Sequence, residues 1–339
     1  MRRRYFLLTA ASALTACTSR TRPRLNVYNW SAYIDPAQIA RFEKERGVRV
    51  RYGVYESNEE MLARGLTGNS GWDIVFPTHS RLEPMARNGL IAELDHQKTP
   101  LLVNLDERFR KPAWDPGLRW GVPYMWNGTG IAWNKAQVAE PQSWDTLWDP
   151  KLRGRLTMLD DVEDAIGVCL LKLGLSFHST DEHELQAAKQ EAIRQKQLLR
   201  AYINAEVRDQ LVAGDVLAAQ LWSTTTAQAM HASPVTPVAF TYPPQGFPLY
   251  CDCGVILRES RRAGLAHEFL NFLLLPDVAA ANARVGDTAT ACGPARTLLP
   301  NDPVMYPPEE IYRRGFWPHA LPSAAQRYRD RIWTEIKSS

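Results

Sequence analysis

The chain has 339 residues. That exceeds the usual size of one hydrophobic core and predicts two domains of about 100–200 residues each. Its composition, 45% hydrophobic and 23% charged, excludes a fibrous or disordered chain. With 40 basic and 37 acidic residues the formal charge is only +3, too small an excess to argue for nucleic acid.

At the N-terminus, Arg2, Arg3 and Arg4 precede a short apolar run from Tyr5 to Leu14. Leu14-Thr15-Ala16-Cys17 then sets small residues directly before a cysteine. A run of about ten apolar residues is too short to cross a bilayer as a helix. The arrangement predicts a lipoprotein signal peptide over residues 1–16, with Cys17 as the lipid-bearing new N-terminus and residues 17–24 as a polar tether. A plain secretory signal is the alternative, and Arg3-Arg4-Tyr5-Phe6-Leu7 leaves a twin-arginine export route open. Removing residues 1–16 takes away three arginines and no acid, so the mature chain balances at 37 basic and 37 acidic residues. Besides Cys17, its cysteines are Cys169, Cys251, Cys253 and Cys292. Export permits disulfides. Cys251 and Cys253 stand two apart on one strand face, poorly placed to bond each other, which leaves pairing with Cys292 or Cys169 open.

Leu25 to Asn29 predicts a short strand, followed by Trp30-Ser31-Ala32-Tyr33. Asp35-Pro36 opens a helix as cap and first helical residue, and Gly47 ends it. Val48 to Tyr55 is the next strand, Ser57 to Leu66 the next helix, and Trp72 to Phe76 a third strand that ends at Pro77-Thr78-His79. This alternation predicts parallel βαβ units, whose ligands bind outside the carboxyl ends of the strands. Gly121 to Asn134 contains two extended stretches joined by Gly128 and Gly130 and is placed to pass between domains. Ser143-Trp144 starts a helix to Trp148, and Gly154 to Leu159 is a strand. Asp181 to Leu199 predicts a charged amphipathic helix with a solvated face, and Val216 to Trp222 a buried strand. Strand Leu249 to Leu257 holds Asp252, with Tyr250 two residues before it. The remainder predicts helices, with Trp317 and Trp333 packing inward.

Between these elements, Asp160-Asp161-Val162-Glu163-Asp164 places four acids in five residues before an apolar helical run. Acids there cap a helix and complement its dipole, each worth about 0.3–1 kcal/mol. The sharper reading makes Asp161 and Asp164, three apart, the anionic wall of a site for a small cation. No nucleophile elbow, zinc-protease motif, P-loop or dinucleotide fingerprint occurs, so no enzyme, cofactor or metal site is expected. The acids Asp161, Asp164 and Asp252 combine with Trp30, Tyr33, Trp126, Trp222 and Tyr250 into what an organic diammonium needs. Carboxylates anchor its ends, and ring faces attract the cations and cover the methylenes.

Over about residues 25–320 the chain resembles the bacterial spermidine/putrescine-binding proteins of ATP-binding-cassette importers, a branch of the extracellular solute-binding proteins. The resemblance is carried by Tyr28-Asn29-Trp30-Ser31-Ala32-Tyr33, Tyr55-Glu56-Ser57-Asn58-Glu59, Trp72-Asp73-Ile74-Val75-Phe76-Pro77 and Pro123-Tyr124-Met125-Trp126. It continues through Ser143-Trp144, Asp160-Asp161, Lys172-Leu173-Gly174 and Asn271-Phe272-Leu273-Leu274. It implies an α/β, two-lobed periplasmic-binding-protein fold, each lobe a mixed sheet flanked by helices, with hinge strands crossing between them. Lobe 1 would comprise residues 25–127 and about 251–300, and lobe 2 residues 128–250 and about 301–339. Trp30, Ser31, Tyr33 and Thr78 would line the first lobe's side. Asp161 and Asp164 would bind amines from the second lobe, Trp222 would stack on the chain, and Asp252 would hold the other amine beside Tyr250. Ser80, Asp164, Gln245, Thr288 and Pro318 depart from the family's usual residues, which implies a polyamine without naming its length. The resemblance implies a periplasmic monomer, lipid-anchored, serving an inner-membrane permease. A receptor for another organic cation, or a sensor subunit for a membrane signalling protein, is the alternative.

Overall fold

The computed structural model describes residues 22–65, 69–232, 235 and 237–339. The expected signal peptide, Cys17, most of the tether and Leu66 lie outside the described residues.

The first domain starts as the alternation predicts. Strand β1 (Arg24–Trp30) runs parallel to β2 (Arg49–Tyr55) in full register, from Arg24 opposite Arg49 to Trp30 opposite Tyr55. Between them lies α1 (Pro36–Arg46), whose N-cap Asp35 accepts the N–H of Ala37 at 2.9 Å. Gly47 closes it in the left-handed conformation, φ 64°, which a residue without Cβ adopts at no steric cost. Helix α2 (Asn58–Gly65) leads to β3 (Ile74–Val75), parallel to β1 on its other side. The short helices α3 (Leu82–Arg87) and α4 (Glu107–Arg110) follow.

Strand β4 (Gly121–Asn134), buried along all 14 residues, joins the two halves. Its first part pairs antiparallel with β9 (Phe247–Ile256), from Gly121 opposite Val255 to Gly128 opposite Leu249. Its second part, from Thr129, pairs with β7 (Ala218–Trp222), and from Ile131 also with β8 (Val238–Thr241). The expected two extended stretches are therefore one continuous strand. Gly130 lies where an added Cβ would stand 2.6 Å from the Thr241 carbonyl oxygen, so only glycine lets β8 approach.

The second half carries β5 (Leu156–Met158), α5 (Val162–Lys172), α6 (Glu182–Lys196), β6 (Leu199–Tyr202), α7 (Val207–Ala213) and α8 (Ser223–Ala232). The chain ends with α9 (Ala263–Leu273), α10 (Pro276–Gly286), β10 (Ala289–Thr290), α11 (Glu309–Tyr312), β11 (Gly315–Phe316) and α12 (Ser323–Ser338). Strand order along the connected path is β2-β1-β3-β9-β4-β7-β5-β6, with helices on the sheet faces. The outer pairings β2-β1-β3 and β7-β5-β6 are parallel and the central ones, β3-β9-β4-β7, antiparallel, so each half is the mixed sheet that was expected.

The amphipathic Asp181–Leu199 helix buries one stripe, Leu185, Ala188, Glu191, Ala192 and Gln195 of α6, which packs on α5 and α12. Two expectations need correction. The Trp144–Trp148 segment is a 3-10 turn capped by Ser143. Residues from about 294 to 322 are mostly irregular, because Pro294, Pro300, Pro303, Pro307, Pro308, Pro318 and Pro322 interrupt any long helix. This segment touches both halves. Gly315 pairs with Phe247, while Trp317 stacks in a ring cluster with Trp114 (4.7 Å) and Phe109 (5.7 Å). Trp333 does pack inward, against α5 and α6. The four cysteines among the described residues are buried and free, with the Cys251 and Cys253 sulfurs 4.0 Å apart.

Candidate functional site

Strand alternation in β9 puts Cys251 and Cys253 on one face and Asp252 on the other. Asp252 is 4% exposed. Thr78, directly after β3, forms an antiparallel bridge with it. The Thr78 hydroxyl donates to Asp252 Oδ1 at 3.1 Å and accepts from Asn58 Nδ2 at 3.0 Å. The amide N–H of Thr78 donates to Asn58 Oδ1 at 3.2 Å, so Asn58 at the start of α2 orients the residue that orients the carboxylate. Burial pushes the Asp252 carboxyl up to about 7, against the opposing pull of Thr78, Tyr33 and Trp30. Tyr33 follows Ala32, held at φ 55°, in the turn leaving β1. Burial, and then the charge of Asp252, push its hydroxyl well above the usual phenol range. The Tyr33 carbonyl is fixed by the Tyr124 hydroxyl at 2.5 Å.

Two of the expected first-lobe contacts are already engaged. Trp30 Nε1 donates to the Phe76 carbonyl at 2.8 Å, which leaves its ring rather than its N–H for a ligand. Ser31 Oγ donates to Glu56 Oε2 at 3.0 Å on the exposed side.

On the opposite wall, Asp161 is the N-cap of α5. Its Oδ1 accepts the N–H groups of Glu163 (2.8 Å) and Asp164 (2.9 Å). The capping and the anionic-wall readings are thus compatible, since one oxygen caps and the other is uncommitted. Asp164 is 2% exposed, and its Oδ1 has no hydrogen-bond partner among the described residues. Burial, then the charge of Asp161, hold its carboxyl well above the usual range, while Thr129 and Trp222 oppose the shift. Burial also raises Asp161 and takes Glu163 to about 7. The Tyr250 hydroxyl, likewise unpartnered, is pushed up by burial and then by Asp164, Glu163 and Asp161. Trp222 is half-buried at the end of β7, beside this group.

Between the walls runs β4. Asn127 sits opposite Tyr250 in the strand register. Its Oδ1, and the Oγ1 of Thr129 two residues on, are buried acceptors without partners. Buried polar atoms are normally satisfied, so these lone acceptors mark a place for donors. From the first lobe, Arg81 and Glu59 face the acidic wall. Arg81 pulls Asp161 and Glu163 down, Glu59 pushes Asp161 up, and the two pair with each other at 3.4 Å.

The structure therefore gathers Tyr33, Thr78 and Asp252 at one end and Asp161, Asp164, Trp222 and Tyr250 at the other. Sequence reasoning missed Asn58, Asn127, Thr129 and Glu163. Asn58 stood inside a motif already singled out, at a strand's carboxyl end. Asn127 and Thr129 alternate along the crossing strand, a signal that means little until the pairing partner is known. Trp126, counted among the candidate rings, is fully buried in the cluster around Trp317 (6.4 Å) and is core.

A fold of two mixed sheets sharing one long strand is that of the two-lobed periplasmic binding proteins. The chain belongs to the bacterial extracellular solute-binding proteins, whose family profile matches residues 37–306. This is a family of substrate-binding transport proteins, not of enzymes. The spermidine/putrescine-binding periplasmic protein of Escherichia coli K12 is 31% identical over 337 residues, covering 96% of each chain. The putrescine-binding periplasmic protein SpuD of Pseudomonas aeruginosa UCBPP-PA14 is 30% identical over 93% of this chain and 92% of that protein. Among solved structures, the Tp0655 (TpPotD) lipoprotein of Treponema pallidum superposes with a TM-score of 0.83 at 27% identity, over 92% of this chain and 99% of that one. The spermidine/putrescine transporter substrate-binding protein PotD of Streptococcus pneumoniae also gives 0.83, at 26% identity, over 93% and 99%.

Proposed function

We propose that this protein is a lipid-anchored periplasmic receptor that captures a linear polyamine of the putrescine/spermidine class between its lobes. It delivers the ligand to an ATP-binding-cassette permease in the inner membrane and catalyses no reaction. The observation that carries this reading is the pair of buried carboxylates, Asp252 beside Met125 and Asp164 beside Thr129 of β4, with the unpartnered Asn127 Oδ1 on the strand between them. An ammonium brought to each carboxylate supplies the counter-charge that burial has withheld. The faces of Trp30, Trp222 and Tyr250 suit the methylenes and cations of the ligand. The polyamine names carried by the relatives support the class, and the Treponema relative's being a lipoprotein supports acylation at Cys17. Asp161, through its uncommitted oxygen, is assigned with Asp164 to the second amine, and Tyr33 and Thr78 to the first.

The test is a thermal-shift series on the chain beginning after Cys17 with putrescine, cadaverine, spermidine, spermine, arginine and an anionic control. A ligand at 100 times its dissociation constant adds about 2.7 kcal/mol of stability. A shift with a polyamine and none with arginine or the anion is expected. The absence of a shift with all four polyamines rejects the reading.

A further inference from the structure

Helix α8 opens with Ser223-Thr224-Thr225-Thr226, and two of its hydroxyls are used differently. Thr226 Oγ1 donates to the Trp222 carbonyl at 3.0 Å, the ordinary bond of a helical threonine to the residue four before it. Thr224 Oγ1 instead crosses to the first half of the molecule. It donates to Thr288 Oγ1 at 3.0 Å, and both residues are buried. Two more residues on the same face of α8 reach the same loop. Gln228 Nε2 donates to the Gly286 carbonyl at 3.0 Å, and His231 Nδ1 lies 3.0 Å from Asp287 Oδ1.

This loop belongs to the wall assigned to the first amine. In β10, Ala289 stands opposite Trp126 of β4, which carries Thr288 on to a place beside Asn127. Asn127 has Tyr250 on its other side, and Tyr250 shares a face of β9 with Asp252. A Cβ on Gly286 would stand 3.1 Å from both the Ala32 carbonyl oxygen and Thr288 Cγ2, so the loop packs directly on the turn that carries Tyr33. We infer that Thr224 is a positioning residue for the first amine site: from the opposite half, and through Thr288, it orients the Tyr33 hydroxyl toward Asp252. That site is then complete only when α8 lies against it. This inference rests on the polyamine reading above and deepens it.

The direction of the chain follows from its donors. Thr288 accepts the Thr224 proton and so has its own to give. The Trp126 carbonyl, at 3.4 Å, is a long and weak alternative acceptor for it. Burial dominates the raised Tyr33 hydroxyl; after it, Asp252 raises the group further, while Thr288 and Asn127 lower it. That is the pattern of a phenol that accepts from Thr288 and donates to the carboxylate. Each bond polarises the next. Without the Thr224 donor, the Thr288 hydroxyl is free to turn to the Trp126 carbonyl, and Tyr33 loses the group that fixes its proton on Asp252.

Titration calorimetry with putrescine and spermidine on the mature chain tests this through a double-mutant cycle of Thr224→Val and Tyr33→Phe. Thr224→Val keeps the shape of the side chain, removes its donor, and should weaken both amines about fivefold, the equivalent of one hydrogen bond. Thr224→Ser keeps the donor and should bind within about twofold of the wild type. In the Tyr33→Phe background, Thr224→Val should cost less than about twofold more, because the residue it acts through is gone. A merely structural threonine would give losses that multiply. Wild-type affinity in Thr224→Val, an equal loss in Thr224→Ser, or losses that multiply in the double variant overturn the inference and leave the polyamine reading standing. Failure of the wild type to bind either amine rejects both.

Discussion

Asp252 and Asp164 are both buried, yet they are held differently. Asp252 keeps a hydroxyl donor from Thr78, whereas Asp164 Oδ1 has none. Asp252→Asn is expected to cost more than about 2 kcal/mol of polyamine binding, since a desolvated ammonium loses its counter-charge. Thr78→Val, which removes only the orienting donor, should cost about 1 kcal/mol in the same calorimetric titration. A pH effect follows from the raised carboxyls. Asp252 and Glu163 titrate near 7 in the folded chain, against the ordinary 3.8 and 4.5. A folded-state value above the unfolded one gives stability that is fully present below the unfolded pKa and lost as pH rises through the folded one. These two carboxyls should therefore lower the melting temperature of the ligand-free protein as the pH rises to about 7, with no further loss from them above about pH 8. Polyamine affinity should rise over the same interval, because the carboxylate form is the one that binds. In Asp252→Asn the fall in melting temperature should be shallower. Between about pH 4 and the ordinary imidazole value of 6.5 this fall is offset, because buried His79 and His178 are pushed down to about 3 and about 4 and must charge on unfolding. A ligand-free melting temperature that rises from pH 6 to 8 would contradict the buried state of these carboxyls.

At the scale of the element, α5 and β4 carry the argument. Asp161 has two tasks, and two substitutions separate them. Asp161→Asn keeps a good capping oxygen and should change stability by less than about 0.5 kcal/mol while weakening polyamine binding. Asp161→Ala loses cap and charge together and should also cost about 1 kcal/mol of stability, read by urea denaturation. If Asp161→Asn binds as tightly as the wild type, the capping role is its only one. In β4, Gly130→Ala forces a Cβ against the Thr241 carbonyl and the Phe240 ring, both at 2.6 Å. It should destabilise the protein by about 1–3 kcal/mol, as overpacking does. Residues on these elements were legible to different degrees. The cap at Asp35, the αL glycine at Gly47 and the acidic opening of α5 are local patterns, settled within four residues of chain. The long strand was legible as extended backbone but not as one strand. Two glycines read as a joint until the approach of β8 explains one of them.

Across the whole molecule, the site is assembled from parts far apart in sequence. Thr78 and Asp252 are 174 residues apart, and Trp317 reaches across from the C-terminal segment to Trp114. A ligand held at both ends should tie the halves together. Amide hydrogen exchange with saturating polyamine is expected to slow jointly at residues 76–81 and 160–165. Protection confined to one of these segments would mean that only one wall binds.

By itself, the sequence determined what depends on short stretches of chain: the βαβ opening, the helix caps, the strand ends and the residue types a diammonium requires. The resemblance in its motifs supplied the order of the lobes. Tertiary structure alone decided which acceptors remain unpartnered, that Trp126 is core and that Thr224 bonds to Thr288. The reason is physical. A capping bond or a left-handed glycine is set by neighbours in the chain, whereas burial and satisfaction of a polar atom depend on strands and helices that arrive from more than 100 residues away.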